Sequence, residues 1–226
     1  METGCRVLSG RRRVAGNSKE PARWIRLIRD AQDCRICPRM ACSRRVLTER
    51  NGPHDARIMF VAEAPGRLGA ERTGIPLFGD RTGDRFEELL SVMGWKRCDV
   101  FLTNAVLCNP KDEAGNNDAP SGEEVRNCSS LLTRTIEIVN PVVVIALGNV
   151  ALRALDLLER HTLSLSKVGT SVLPWHGRRL AALYHPGPRA AVHRPWRLQL
   201  TDARSLARKC VRILSAHPGE SRHHFS

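Results

Sequence analysis

The stretch Arg57-Ile58-Met59-Phe60-Val61-Ala62-Glu63-Ala64-Pro65-Gly66 decides how this chain folds. Its apolar run reads as a strand, and Pro65-Gly66 forces a turn that leaves the Glu63 carboxylate and the backbone N–H groups around Ala64 facing a cleft. Three more short apolar runs follow at Val100 to Thr103, Pro141 to Leu147 and Leu180 to Tyr184. Helical patterns separate them. Gly83 to Met93 stops at Gly94, Ser121 and Glu124 form a capping box before a helix reaching about Val139, and Asn149 to Leu158 follows Gly148. A helix over Pro21 to Asp33 precedes the first run, and another over Trp196 to Ala216 follows the last. Strands alternating with helices predict an α/β fold of three layers, α/β/α, around a central four-stranded parallel sheet.

Open α/β sheets bind ligands outside the carboxyl ends of their strands. The residues there are Glu63, Asn104, Gly148 and His185, which would bring a carboxylate, an amide, a glycine turn and an imidazole to one edge. The carboxylate suits positioning or activation of water. The Asn104 amide offers a donor and an acceptor together, as the edge of a pyrimidine base requires. His185 opens the stiff loop Pro186-Gly187-Pro188-Arg189, where an imidazole can stabilise a leaving group's charge and the loop can press into a DNA groove. His193, Arg194, Arg197 and Arg179 add candidates for phosphate contact. Between the first two strands, Leu77 and Phe78 lie in a glycine-bounded loop able to stack on a flat ligand.

Four cysteines suggest a metal site: Cys34 and Cys37 in a C-x-x-C, with Cys108 and Cys128 far along the chain. Thiolates ligate both iron-sulfur clusters and structural zinc, and their convergence would tie the N-terminal and central segments together. Cys42, five positions after Cys37, competes for a place in the set, whereas Cys210 in a helical stretch suits a small buried thiol.

At 226 residues the chain has room for one large domain, expected over 21–216, between a basic flexible tail at 1–20 and a second tail at 217–226. It has no apolar stretch of membrane-spanning length and no secretory leader pattern, so a reducing cytoplasm is expected. The net charge of +13 favours a polyanionic partner, nucleic acid first.

Taken together, these motifs resemble the uracil-DNA glycosylase superfamily and its iron-sulfur branch, often called family 4. The matching pieces are E-A-P-G at Glu63 to Gly66, T-G-x-P with a following G at Thr73 to Gly79, T-N-A-V-L-C at Thr103 to Cys108, the helix of Glu124 and Cys128, A-L-G at Ala146 to Gly148, and Y-H-P at Tyr184 to Pro186. The resemblance implies a [4Fe-4S] cluster held by Cys34, Cys37, Cys108 and Cys128, and hydrolysis of flipped-out deoxyuridine without a lyase step. It implies that Glu63 handles the water, Asn104 reads the base and His185 stabilises the departing uracil anion. Ala64, Pro65, Gly66, Leu77 or Phe78, Asp80 and Gly148 would contact the substrate, and Pro186, Gly187, Pro188, Arg189, His193 and Arg194 the DNA. The expected partner is uracil-containing DNA, single- or double-stranded, met by a monomer in a bacterial cytoplasm and associated with the nucleoid through DNA.

The chain departs from the family pattern in several places. Leu77 stands where the family's stacking phenylalanine usually follows the proline, Asp112 to Asp118 is an insertion, and Gly187 replaces a small hydroxyl residue. Gly66 stands where non-cluster relatives use a tyrosine against the thymine methyl, which leaves the base range open. Two other readings keep the scaffold: a non-catalytic protein that binds lesions or abasic sites, and a zinc-stabilised nucleotide-binding protein.

Overall fold

A computed structural model describes residues 19–167 and 171–217; the expected tails lie outside the described residues except at their inner ends. Five strands, β1 (Ile58–Ala62), β2 (Phe101–Asn104), β3 (Val143–Leu147), β4 (Val172–Trp175) and β5 (Arg178–Leu183), form one sheet in the order β2-β1-β3-β5-β4. The four strands expected from the apolar runs are parallel. The fifth, β4, pairs antiparallel with β5 at the sheet's edge.

β4 escapes the apolar pattern for a physical reason. It contains Pro174, which cannot donate to a ladder and is confined to edges, and only its last residue is buried. What defines it is the two-residue turn His176-Gly177, both with positive φ (47° and 67°), whose twist matches that of a tight hairpin.

The sheet is covered on both faces. Helices α1 (Lys19–Asp33), α2 (Ala70–Thr73), α3 (Arg81–Met93), α4 (Gly122–Val139), α5 (Asn149–Leu158), α6 (Ala190–His193) and α7 (Trp196–Ala216) occur in that order. The two single-turn helices, α2 and α6, were not expected from the sequence. Met59 and Val61 of β1 point into a core shared with α1, α4 and α5, whereas Ile58, Phe60 and Ala62 point into one shared with α3 and α7. A strand buried on both sides has no polar alternation, which is why β1 reads as an unbroken apolar run.

Local signals set the helix ends. The Asp80 side chain accepts from Gly83 N–H at 2.9 Å to start α3, and Ser121 and Glu124 form the expected capping box on α4. Trp24 of α1 is 1% exposed, meets Phe101 edge-on at 5.7 Å and donates from Nε1 to Glu49 at 2.7 Å. Trp24→Ala is expected to destabilise the protein by about 3–5 kcal/mol, read as a lower urea midpoint at unchanged slope.

Register carries the fold into the site. Ala62 pairs with Asn104, and Leu147 with Leu183, so β1, β2, β3 and β5 end side by side. The chain leaves β1 toward β2 on one side and returns to β3 on the other, making the β1/β3 boundary a topological switch point. Glu63 follows one of those strands and Gly148 the other.

Candidate active site

A cavity of about 620 Å³ opens at this edge. Its wall includes Glu63, Ala64, Pro65 and Gly66 from the loop after β1, Leu77 and Asp80 before α3, and Gly148 after β3. His185, Gly187, Pro188, Arg189 and His193 close it from the loop after β5.

Glu63 is withdrawn from water, and that desolvation raises its carboxyl above the usual carboxylate range; Arg153 and Arg189 pull the other way, and Asp118 adds to the rise. The loop behind it is fixed because Val106 N–H donates to the Glu63 carbonyl at 3.0 Å and Ala105 N–H to that of Ala62 at 2.8 Å.

His185 is the most tightly specified group. Its Nδ1 accepts from Gly187 N–H at 3.0 Å, which in a neutral imidazole leaves the proton on Nε2. Burial lowers its pKa to about 4, against an opposing pull from Asp80, so the ring is neutral at physiological pH. Two glycines make room for it. A Cβ at Gly187 would stand 2.8 Å from Nδ1, and one at Gly148, whose φ is 92°, would stand 3.3 Å from the His185 Cβ. A side chain at position 187 would therefore require the His185 ring or its loop to shift.

Asn104 ends β2 and is 2% exposed, and its Nδ2 has no hydrogen-bond partner among the described residues. It is not among the lining residues, although its strand partner Ala62 leads directly into Glu63, which is. The two stacking candidates separate: Leu77 is buried in the wall, whereas Phe78 is 44% exposed and outside it. Leu77 adopts a left-handed backbone (φ 49°), an uncommon conformation for a side chain of its size. Phe78 instead lies under the Arg97 guanidinium, 5.5 Å from its ring centre. Pro186, expected at DNA, is buried and is not among the lining residues. Arg194, expected at DNA, turns to α7, where Nε and Nη2 grip both Asp202 oxygens at 2.8 and 2.7 Å. Its partner lies in the helix that follows, a pairing that sequence distance alone does not reveal.

The thiols stand apart from this cavity. Burial first, and Cys34 and Cys37 with it, push the thiols of Cys108 and Cys128 up to about 11 and about 12. That mutual influence brings together three segments distant in sequence. Asn127 Nδ2 reaches Cys37 Sγ at 3.5 Å, and Arg45, itself buried, donates to the carbonyls of Cys34 and, at 2.9 Å, Ala41. Cys42 is exposed and enters neither group of influences, and Cys210 is a buried residue of α7 on the opposite face of the sheet. Among the described residues, no three His, Cys, Asp or Glu side chains are in an arrangement that could hold a metal ion.

A profile of the Uracil DNA glycosylase superfamily matches residues 49–205, spanning the whole sheet and the cavity. The chain belongs to the uracil DNA glycosylase superfamily. Among curated members, it is 36% identical over 154 residues to a type-4 uracil-DNA glycosylase of Thermotoga maritima, covering 68% of this chain and 76% of the relative. It is 32% identical over 174 residues to a type-4 enzyme of Archaeoglobus fulgidus, covering 75% and 83%. A type-5 uracil-DNA glycosylase of Pyrobaculum aerophilum is 35% identical over 151 residues, covering 61% and 64%.

On this glycosylase scaffold, the insertion and the residues just before it supply parts of the wall that the strand ends do not mark. Asn109, Asn117 and Asp118 all line the cavity. A bridge between Lys111 and Asn117 folds the insertion into a small hairpin, and Asp118 N–H donates to Pro110 at 3.0 Å. Arg39, two residues past Cys37, holds the hairpin's end. It donates to Asp118 at 2.7 Å and, through Nε and Nη2, to both oxygens of Glu124 at 2.7 Å. The guanidinium keeps both carboxyls below the usual range. Arg39→Ala is expected to lower the urea midpoint at neutral pH. The difference from wild type should shrink on acidification, because these pairs stabilise the fold above the ordinary carboxylate pKa and are lost as pH falls through the lowered ones.

Proposed function

We propose that this chain hydrolyses the N-glycosidic bond of deoxyuridine held outside the DNA stack, acting in base excision repair. The observation that carries the reading is the neutral His185, locked by Gly187 with Nε2–H free to donate, in the cavity that Glu63 also lines. As the C1′–N1 bond breaks, its electron pair leaves with the uracil and the sugar becomes cation-like. A donor aimed at a pyrimidine oxygen stabilises the departing anion in a water-poor site. Water bonds to C1′ and its proton passes to Glu63, whose raised pKa brings it nearer the working pH as a base. Arg153 and Arg189 favour the ionised carboxylate before the transfer.

Asn104, with an unpaired buried Nδ2, reads a base carbonyl, and Leu77 supplies the apolar surface against the ring. Among the described residues no lysine lines the cavity, and the proposed chemistry is hydrolysis without a lyase step. On the rim, Arg189 is joined by Val192, which is 84% exposed on α6 and offers an apolar tip for the gap left by an extruded base. Cys34, Cys37, Cys108 and Cys128 would supply an all-sulfur donor set for a [4Fe-4S] cluster, which spans more widely spaced thiols than one metal ion does and would cross-link three segments structurally. The protein would meet single- or double-stranded DNA as a monomer in the cytoplasm. No helix among the described residues is long and apolar enough to cross a membrane.

The test is uracil excision from labelled single- and double-stranded oligonucleotides, scored as strand breakage after alkali. Breakage by wild type and its loss in Asn104→Ala support the reading; tight binding to uracil or abasic DNA with no breakage would replace it with a lesion-binding role.

A further inference from the structure

Helices α1 and α4 pack side by side, and a second cavity of about 350 Å³ opens between them. It is lined by Arg23, Arg26 and Asp30 of α1 and by Arg134 and Ile138 of α4. Spacings of three and four residues put each set on one stripe of its helix, whereas Trp24 and Leu27 turn into the core. The volume is that of a ligand-binding cleft, for which about 300–1,000 Å³ is usual.

Three guanidiniums against one carboxylate leave the cleft a surplus of two positive charges. Asp30 engages only one of the three: its Oδ2 accepts from Arg134 Nη2 at 2.6 Å, which orients that guanidinium and leaves its other N–H groups without a partner among the described residues. The two side chains of this pair are 37% and 39% exposed, so water screens the attraction and Asp30 holds Arg134 weakly. Arg23 and Arg26 are exposed and have no hydrogen bond or ion pair among the described residues. Like charges gathered around one cleft repel each other, and an anion placed between them removes that repulsion. A guanidinium fork matches phosphate in particular, because its planar N–H groups reach two oxygens at once.

The cleft is separate from the cavity that holds Glu63 and His185. Glu124, in the first turn of α4, is tied through Arg39 to Asp118 in that cavity's wall. Arg134 lies ten residues farther along the helix, about 15 Å at 1.5 Å per residue. Phosphates recur every ~3.4 Å along one strand of a duplex, so the distance corresponds to roughly four or five nucleotides.

We propose that the cleft between α1 and α4 is an anchoring site for a backbone phosphate of DNA, held by Arg23, Arg26 and Arg134 away from any extruded base. The net charge of +13 favours a polyanion over a lone phosphate, and the exposed positions of Arg23 and Arg26 let a strand pass without being enclosed. The inference goes beyond the glycosylase reading and does not depend on it, since a backbone contact carries no base information.

The test measures binding of the full chain to undamaged duplex DNA across a series of salt concentrations. The double variant Arg23→Ala/Arg26→Ala is expected to bind more weakly and to reduce the slope of log affinity against log salt by about two, one for each phosphate-facing cation lost. Arg204→Ala/Arg208→Ala, which removes the same charge from exposed positions on α7 across the sheet, is the matched control and should change the slope by well under half as much. Asp30→Asn frees Arg134 and removes a negative charge from the cleft, so binding should tighten. An unchanged slope in the α1 variant overturns the proposal, as does an equal loss in the α7 control, which would mean a diffuse field. If the α1 variant does not fold, unchanged or weaker binding by Asp30→Asn overturns it. Inorganic pyrophosphate tests the other source of the same chemistry: pyrophosphate binding that the α1 variant loses, with no change in its DNA slope, would make the cleft a small-anion site and overturn the DNA assignment.

Discussion

His185→Ala is expected to reduce single-turnover uracil excision by about 10²–10³-fold, the usual consequence of removing one donor aimed at a developing anion. Affinity for an abasic analogue should change little, because that ligand has no base to meet Nε2–H. The pH profile distinguishes this donor from an ordinary histidine. With its pKa lowered from 6.5 to about 4 by burial, the ring stays neutral across the physiological range, and excision is expected to show no break near pH 6.5 from this group. An acid limb should come instead from Glu63, whose pKa lies above the ordinary carboxylate range, and Glu63→Gln should abolish that limb along with most of the activity. A wild-type break near pH 6.5 that vanishes in His185→Ala would contradict the neutral donor. His185 also affects stability. Above pH 6.5 the ring is neutral in both folded and unfolded chains; between 6.5 and about 4 only the unfolded chain takes up the proton, so stability falls as pH falls through that window.

Cys128→Ser is the second large effect. Cys128 is buried in α4 and electrostatically joined to Cys108, Cys37 and Cys34. Purified without oxygen, wild type is expected to contain iron and to be coloured, and the serine variant to lose both. Its thermal midpoint should fall by about 10 °C or more, since a few kcal/mol in a protein of this size moves the midpoint by that amount. Cys42→Ser is the matched control, expected to leave iron and midpoint unchanged because Cys42 is exposed and outside the group. Colourless wild-type protein containing zinc would point to a structural zinc site on the same thiols.

Much of this fold was legible because burial on both faces leaves an unbroken apolar signature. β1 and β3 announce themselves that way, and α4, α5 and α7 have caps or starts that the chain states locally. β4 was hidden because an edge strand with a proline has no such signature, and its evidence is a turn conformation. In the site, strand ends alone mark Glu63, Asn104, Gly148 and His185. Leu77 and Phe78 stood equal in sequence, and only the left-handed backbone at Leu77 puts one in the wall and the other against Arg97. Arg194 reads as a free cation in the sequence, whereas Asp202, eight residues on, holds it in the fold.

The sequence by itself determined the strand and helix alternation, the carboxyl-end residues, the four thiols and the family pattern, because each is written in residues close together or in a repeated period. Tertiary structure alone decided the neutral state of His185, the separation of Cys42 from the other thiols, and the entry of Asn109 and Asn117 into the cavity wall. Those properties depend on desolvation and on hydrogen bonds between segments tens of residues apart, which no local pattern encodes.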